Sequence, residues 1–460
     1  MVFSSLPFLF FYLCVVLLVY KLSPLKLRNL ILLVVSLFFY GWGEPVYIFI
    51  MFLSIAVDYV HGMLVERWRD NDRKARMAVA SSVLFNLTIL IFFKYWDFIA
   101  SNINALTGLS IPVLGIPLPI GISFYTFQTM SYTIDVYRKD APVQKNIITF
   151  GAFVTLFPQL IAGPIIQYKS VAEQLESRKE DLEKFVSGIR RFCVGMAKKV
   201  LLANAIGQLW DVSLASESLT VTGAWLGLIA YAFQIYFDFS GYSDMAIGLG
   251  RMMGFEFIEN FNYPYISRSV VEFWKRWHIS LTTWFREYIY FPLGGNRVPK
   301  WKWIRNILIV WTVTGIWHGA GWNFLLWGLY YGVLMLAERL FLGKYLEKLP
   351  VALRHVYTMV LVLLGWALFA VEDMGRLGAY LRSCFSGTFF DALTAYRLVS
   401  YLPMLVILTV AATPLGKRLW DKLGERTRAI LLPILMMVVL VLCTASLVDA
   451  SYNPFLYFRF

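Results

Sequence analysis

The sequence predicts an all-α polytopic membrane protein with roughly 11–13 transmembrane and re-entrant helices. Hydrophobic residues make up 59% of its 460 residues and charged residues only 15%, against about 45–50% and about 25% in soluble domains. A soluble fold of this length needs more polar surface to cover its core. The composition therefore excludes a soluble enzyme, a disordered chain and a disulfide scaffold, and it leaves membrane helices.

Apolar segments recur along the whole chain, which we expect to form a single membrane-embedded domain over residues 1–460. The candidate spans are 6–20, 29–43, 46–64, 78–99, 112–134, 148–166, 186–210, 222–248, 304–320, 323–342, 355–371, 397–415 and 429–448. Several are shorter than the ~20 residues that cross a bilayer as a helix, so some are predicted to re-enter. Three prolines and a glycine within 112–119 predict that no regular helix begins before Ile120.

Short loops rich in Lys and Arg predict the orientation, because such loops stay cytoplasmic. Five loops fit this pattern: 21–28, 67–76, 297–305, 344–354 and 417–428. They predict a multi-pass protein of the bacterial inner (cell) membrane with both termini extracytoplasmic. The N-terminus lacks a basic region and a small-residue cleavage site, so we expect a retained helix rather than a signal peptide.

The net charge of +13 is explained by these loops. Because the basic residues form no single face, nucleic-acid binding is not predicted. None of the four cysteines lies in a CxxC motif or a Cys/His cluster, so neither a disulfide nor a metal site is expected.

Polar residues inside spans are costly and are therefore functional candidates. Of the four histidines, His61 and His355 lie near span edges, where an interfacial role is expected. His318 lies thirteen residues after Arg305 in a predicted helix, about 20 Å along its axis and past the bilayer midplane. Gly319 and Gly321 follow it and allow close approach of a backbone or ligand. An imidazole takes up a proton near neutral pH, although spacing alone favours a structural histidine bonded to a neighbouring helix.

The second polar segment, 271–297, is too charged for a lipid-facing span. Residues 260–300 are predicted as a re-entrant or interfacial helical segment, either an amphipathic helix with a tryptophan belt or a helix lining a polar cavity. At helical spacing Lys275, His278, Thr282 and Arg286 share one side. In the second alternative the segment's cations would suit the phosphates of a cytosolic ligand: Lys275, Arg276, Arg286 and Arg297.

The third cluster lies in the apolar segment 222–248 and contains two carboxylates. Asp238 and Asp244 need partners there, and Ser240 and Tyr242 supply hydrogen-bonding groups. We expect a structural polar network of these four residues rather than direct catalysis.

These segments resemble the membrane-bound O-acyltransferase (MBOAT) family, and within it the branch of bacterial alginate O-acetylation (AlgI type). The matching stretches occur in family order over nearly the whole chain: 119–128 (PIGISFYTFQ), 157–164 (FPQLIAGP), 236–250 (YFDFSGYSDMAIGLG), 272–295, 317–319 (WHG) and 454–460 (PFLYFRF). The resemblance implies a ring-like bundle around a central tunnel. It also implies that His318 matches the catalytic histidine and His278 a second histidine lining the tunnel.

The resemblance further implies an O-acyltransferase that passes an acetyl group from cytosolic acetyl-CoA across the membrane. The acceptor would be an extracytoplasmic, alginate-like exopolysaccharide, reached through an SGNH-like acetyltransferase partner. Acetyl-CoA is charged and does not cross a bilayer, whereas the exported polysaccharide lies outside. A protein open to both sides would transfer the acetyl group without exporting CoA. Acetyl-CoA would be a substrate, with no permanently bound cofactor.

Two alternatives remain from the sequence. One keeps the family and changes the substrate, to D-alanyl transfer onto teichoic acid or to peptidoglycan O-acetylation. The other is a transporter without chemistry, whose path the polar clusters would line. The lack of an internal repeat and of midplane charge chains argues against a transporter.

Overall fold

Regular structure in this protein is helical. The computed structural model describes residues 1–161, 163–216, 218–449 and Leu456, and none of these forms a β-strand. The predicted all-α class is therefore confirmed. The C-terminal stretch 454–460, which contributed to the family resemblance, lies outside the described residues except for Leu456.

The α-helices are numbered here in chain order. The first group is α1 (Leu13–Leu22), α2 (Arg28–Gly41), α3 (Ile48–Arg67), α4 (Asp72–Thr107), α5 (Ile122–Arg138), α6 (Ile147–Thr155), α7 (Phe157–Leu160), α8 (Tyr168–Glu176), α9 (Leu182–Ala197), α10 (Asn204–Leu214) and α11 (Val221–Met252). The second group is α12 (Val270–Arg276), α13 (Ile279–Phe285), α14 (Lys300–His318), α15 (Trp322–Ala337), α16 (Gly343–Leu346), α17 (Val351–Ala370), α18 (Met374–Ser383), α19 (Ala392–Ala411), α20 (Leu415–Asp421) and α21 (Glu425–Asp449).

Six helices of the described residues are long and apolar enough to cross a membrane. They are α3, α4, α17, α19, α21 and the continuous segment Trp322–Leu346, in which the π-helical turn Glu338–Leu342 joins α15 to α16. Other apolar segments form shorter or interrupted helices. Helix α5 begins at Ile122, which confirms the prediction for the proline-rich stretch before it. The predicted span 148–166 is split between α6 and α7, where Pro158 follows the turn.

The chain divides into two compact units. The first unit contains Met1–Phe192 and Tyr242–Ile258, and the second contains Cys193–Gly241 and Glu259–Phe460. Helix α11 contributes its residues up to Gly241 to the second unit and the remainder to the first.

A buried carboxyl group joins three helices of the first unit. Asp58 of α3 accepts hydrogen bonds from Ser82 Oγ (2.5 Å) and from Asn86 Nδ2 (2.8 and 3.0 Å), both on α4. Thr129 of α5 donates to Asn86 Oδ1 at 3.0 Å. Such bonds between polar side chains stabilise helix association where the surroundings are as apolar as the helices.

A second polar cluster of the first unit lies in the 177–181 linker between α8 and α9. Glu180 is bound by Lys21 (2.7 Å), Arg28 (2.5 Å) and the Tyr20 hydroxyl (2.6 Å). Burial alone would raise the pKa of the Glu180 carboxyl, but the hydrogen bonds from Lys21 and Tyr20 and the nearby charges hold that pKa below its ordinary value. The linker is thereby tied to the N-terminal helices of the same unit.

In the second unit, α14 and α15 form a hairpin whose helices pack closely at two glycines, Gly315 and Gly328. A Cβ atom on Gly315 would collide with the carbonyl oxygen of Phe324, and one on Gly328 would collide with that of Trp311. The two backbones therefore pack directly against each other at these positions. This close packing fixes the end of α14, where His318 lies.

Candidate active site

His318 is the last residue of α14, and the glycines after it end the helix. Gly319 adopts an extended conformation and α15 begins at Trp322. The imidazole is buried with 7% of the residue exposed. Its ring lies 5.0 Å from the ring of Trp327 and 5.2 Å from that of Phe369, centroid to centroid. The predicted candidate thus lies at a helix end inside an aromatic cluster.

His278 occupies a break between two short helices. It has φ 46° and ψ 55°, in the left-handed region, and it separates α12 from α13. This region is unusual for a residue other than glycine and costs conformational energy. The expectation that Lys275, His278, Thr282 and Arg286 share a side of one continuous helix is therefore wrong, because the chain turns at His278.

Asn260 holds the His278 ring by its side-chain oxygen. His278 Nδ1 lies 3.1 Å from Asn260 Oδ1, which also accepts hydrogen bonds from the Ser280 amide (3.2 Å) and hydroxyl (2.9 Å). Because a carboxamide oxygen only accepts, Nδ1 is the protonated nitrogen. Nε2 is then an acceptor, and it has no hydrogen-bond partner among the described residues. His278 is 1% exposed, so the Nε2 lone pair is a buried hydrogen-bond acceptor.

The structure brings the rings of both histidines close to the indole of Trp317. The Trp317 ring lies 6.5 Å from the His278 ring and 5.0 Å from the His318 ring. Trp327 and Phe369 also contact each other, at 5.2 Å. The site is therefore two imidazoles in an aromatic environment with little access to water.

The four predicted phosphate-binding cations are placed differently from one another. Arg276 is held by Glu272, with Nε and Nη2 at 3.0 and 2.9 Å from Oε1. Lys275, Arg286 and Arg297 are exposed. Arg286 is only loosely paired with Glu287, at 3.8 Å. The exposed three keep their charge available for a ligand, whereas the charge of Arg276 is largely compensated.

The four residues of the predicted polar network on α11 are divided between the two units. Asp238, with its neighbour Ser240, belongs to the second unit, where its carboxylate pairs with Lys199 (2.5 Å) and accepts from the Leu456 amide (3.1 Å).

Tyr242 and Asp244 belong to the first unit. Asp244 pairs there with Arg191, at 2.6 Å from Nη2. The Tyr242 ring stacks on Phe3, 4.5 Å between centroids. The two carboxylates therefore serve ion pairs in different units, a buried pair at Asp238 and a partly buried pair at Asp244.

The two remaining histidines form hydrogen bonds outside the candidate active site. His61 contacts the Val57 carbonyl (2.7 Å) and Ser81 Oγ (2.9 Å), and His355 contacts the Ser267 carbonyl (3.1 Å). Within the described part of the chain, no group of three or more His, Cys, Asp or Glu side chains is arranged to hold a metal ion.

Sequence reasoning missed several residues that complete the site and its supports. Arg191 and Lys199 lie inside the predicted span 186–210, where a cation demands a partner, and this signal could have identified them. Asn260, Trp327 and Phe369 carry no such signal, since nothing in their local sequence indicates that they contact a histidine.

Comparison with known proteins places this site in a family. A family model described as "MBOAT, membrane-bound O-acyltransferase family" matches residues 134–358, which include both histidines. The protein named "Probable alginate O-acetylase AlgI" of Azotobacter vinelandii is 38% identical over an alignment that covers all of both chains. The chain belongs to the membrane-bound O-acyltransferase family. It is a multi-pass membrane enzyme that transfers an acyl group to a hydroxyl.

Two further relatives widen the comparison within the family. A protein of the same name from Pseudomonas aeruginosa is 44% identical, over 81% of this chain and 73% of its own. The "Peptidoglycan O-acetyltransferase" of Helicobacter pylori is 33% identical, over 77% of this chain and 73% of its own. Family members thus carry names for different acyl acceptors.

Proposed function

We propose that this enzyme transfers an acetyl group from cytosolic acetyl-CoA across the membrane to an extracytoplasmic, alginate-like exopolysaccharide, with His318 as the catalytic histidine. The observation that carries the proposal is the pair of buried imidazoles that both lie close to the Trp317 ring. The identity with proteins named alginate O-acetylase supports the acceptor. An SGNH-like acetyltransferase on the outer side completes the proposed route to the polymer.

The chemistry assigns a role to each histidine. His318 acts as general base and takes the proton of the incoming hydroxyl as its oxygen attacks the thioester carbonyl. The new C–O bond forms, the C–S bond breaks, and the proton passes from His318 to the leaving CoA thiolate. Nε2 of His278, fixed as an acceptor by Asn260, accepts a hydrogen bond from a second donor group of the acceptor molecule and so orients the reacting hydroxyl toward His318.

The aromatic surroundings protect the thioester from hydrolysis. Trp317, Trp327 and Phe369 enclose His318 with apolar rings. Water that reached the base would compete with the hydroxyl for the acetyl group, so its exclusion favours transfer.

The donor side is proposed to be the cytoplasmic face. Lys275, Arg286 and Arg297 are exposed cations that suit the phosphates of CoA. The basic loops support an orientation with both termini outside, in a bacterial inner membrane. The whole chain, residues 1–460, acts in this proposal as one catalytic assembly with 260–300 re-entrant.

The role of His318 can be tested in an alginate-producing bacterium that lacks its own O-acetylation membrane protein. We expect the wild-type chain to restore ester-linked acetate on the secreted polymer, measured by proton NMR, and His318→Ala to reduce it at least hundredfold. His61→Ala is the matched control and should acetylate normally. Normal acetylation by a membrane-inserted His318→Ala variant would refute the assignment.

Peptidoglycan is the second acceptor to be tested in the same assay, because one relative is named peptidoglycan O-acetyltransferase. Acetate on muropeptides rather than on the exopolysaccharide would favour that substrate. Supplying either acetyl-CoA or an aminoacylated carrier protein as donor separates acetyl transfer from D-alanyl transfer to teichoic acid.

A further inference from the structure

The second unit contains a cavity of about 510 Å³ that includes neither His278 nor His318. Its walls come from α11, α17 and α19 and from the 265–268 segment. Helices α17 and α19 are both long and apolar enough to cross a membrane. The cavity therefore lies among membrane helices, apart from the candidate active site.

The lining is apolar along most of its length and polar at one end. Phe233, Val362 and Leu363 belong to the apolar part, whereas Arg268 and His355 supply the polar end. His355 and Leu363 are eight residues apart on α17, which corresponds to about 12 Å along the helix axis. The cavity is thus deep enough for a segment of hydrocarbon chain below a charged group.

The charge of Arg268 at the polar end is only partly offset by the nearby Glu272 carboxylate. The backbone amide of Arg268 donates to Glu272 Oε2 (2.9 Å), but the Glu272 carboxylate is bound by Arg276. No ion pair within the described ranges engages the Arg268 guanidinium, which is exposed. His355 donates from Nδ1 to the Ser267 carbonyl, so its Nε2 is a hydrogen-bond acceptor that suits a donor group of a lipid headgroup.

We propose that this cavity binds one acyl chain of an anionic glycerophospholipid, with the lipid phosphate held by the Arg268 guanidinium at the polar end. An apolar cavity among membrane helices excludes water and is filled by hydrocarbon. Arg is the side chain best shaped for phosphate oxygens. The basic loops next to α17 and α20 predict that this end faces the cytoplasm, where anionic lipids are enriched.

The lining also argues against acetyl-CoA as the occupant. The pantetheine arm of CoA carries amides that need hydrogen-bond partners when buried. The hydroxyls of Thr409 and Thr413 in the lining already donate to the carbonyls of Leu405 and Val410, at 2.7 and 2.8 Å, so they have no hydrogen left for the amide carbonyls of pantetheine. A lipid chain makes no such demand.

Native mass spectrometry of the full chain in detergent tests the proposal. The protein is supplied with phosphatidylglycerol or with phosphatidylcholine of the same chain length. We expect one phosphatidylglycerol to be retained at least fivefold more than phosphatidylcholine. Arg268→Gln should remove that preference, and Ala232→Phe, which fills the cavity, should remove the bound lipid. Lys348→Gln, an exposed cation before α17 that does not line the cavity, should behave as wild type.

Three results would overturn the proposal. They are equal retention of the two lipids by the wild type, unchanged phosphatidylglycerol binding in Arg268→Gln, and stoichiometric displacement of the lipid by acetyl-CoA. If Ala232→Phe does not elute as a monodisperse protein, the comparison of Arg268→Gln with Lys348→Gln decides alone, because both lie at the surface.

Discussion

At single residues, the two histidines differ in how far the sequence reveals them. His318 could be predicted as a candidate because the Trp-His-Gly sequence and Gly321 indicate that a helix ends there, inside an apolar segment. The conformation of His278 could not, since no glycine or proline marks the turn there. Its partner Asn260 lies eighteen residues away, and only the folded chain brings the two together.

Asn260 is predicted to position His278 without touching the substrate. Replacing it with Ala removes the acceptor for Nδ1–H, so the ring can rotate or change tautomer. We expect acetyl transfer to fall roughly tenfold to hundredfold, through kcat rather than KM, in a steady-state assay with acetyl-CoA.

Ser280→Ala is the matched control for Asn260→Ala. It removes another donor to the same Asn260 oxygen but leaves His278 held. Activity close to wild type is expected. Equal losses in the two variants would indicate a general packing role for this turn and contradict a positioning role for Asn260.

Among the helices, the late start of α5 was predicted from the prolines before it, whereas the interruption before Pro158 and the turn at His278 were not predicted. The start of α5 at Ile122 and the interruption before Pro158 follow from restricted φ and a missing amide. The turn at His278 has no local cause. The conformational energy of the left-handed backbone at His278 is offset by tertiary contacts such as the Asn260 hydrogen bonds. Helical periodicity in the sequence does not predict such contacts.

The contact of α14 with α15 is predicted to depend on Gly315. In Gly315→Ala the new Cβ meets the Phe324 carbonyl, so the helices must separate. We expect a loss of about 1–3 kcal/mol and reduced acetyl transfer, because His318 lies three residues further on.

Thermal unfolding in detergent measures this effect, with Gly378→Ala on α18 as the control. No heavy atom lies within 4 Å of the new Cβ at Gly378. Stability there should be equal to wild type or higher by up to about 1 kcal/mol. A Gly315→Ala protein as stable and active as wild type would show that the close approach is dispensable.

The linker between α8 and α9 is predicted to be acid-sensitive through Glu180. Its pKa is lower in the folded chain than the ordinary value of 4.5. The stabilisation is therefore complete above about pH 4.5 and is lost as the pH falls through the folded-state pKa. Glu180→Gln should cost about 2–3 kcal/mol at pH 7.

The pH dependence separates this effect from a simple loss of packing. The difference in Tm between wild type and Glu180→Gln should shrink as the pH is lowered below about 4.5. Glu183→Gln, an exposed carboxylate at the start of α9, should change little at any pH. A Tm difference that is constant from pH 7 to pH 3 would contradict the electrostatic explanation.

For the whole molecule, composition alone was enough to predict the all-α membrane class, because burial in lipid demands apolar helices. It was not enough to separate spanning from interrupted segments. In the described part of the chain six helices meet the length and hydropathy of a span, whereas segments such as 148–166 and 271–290 are divided. The ring-like bundle with its tunnel, and the outward termini, stay predictions.

Transfer across the membrane can be measured in sealed inside-out vesicles from the producing bacterium, loaded with exopolysaccharide and given radiolabelled acetyl-CoA outside. We predict that label reaches the enclosed polymer in wild-type vesicles, and that His318→Ala vesicles with equal amounts of the protein show none. Label that appears only when acetyl-CoA is enclosed with the polymer, or that appears equally with His318→Ala, would contradict the proposed mechanism.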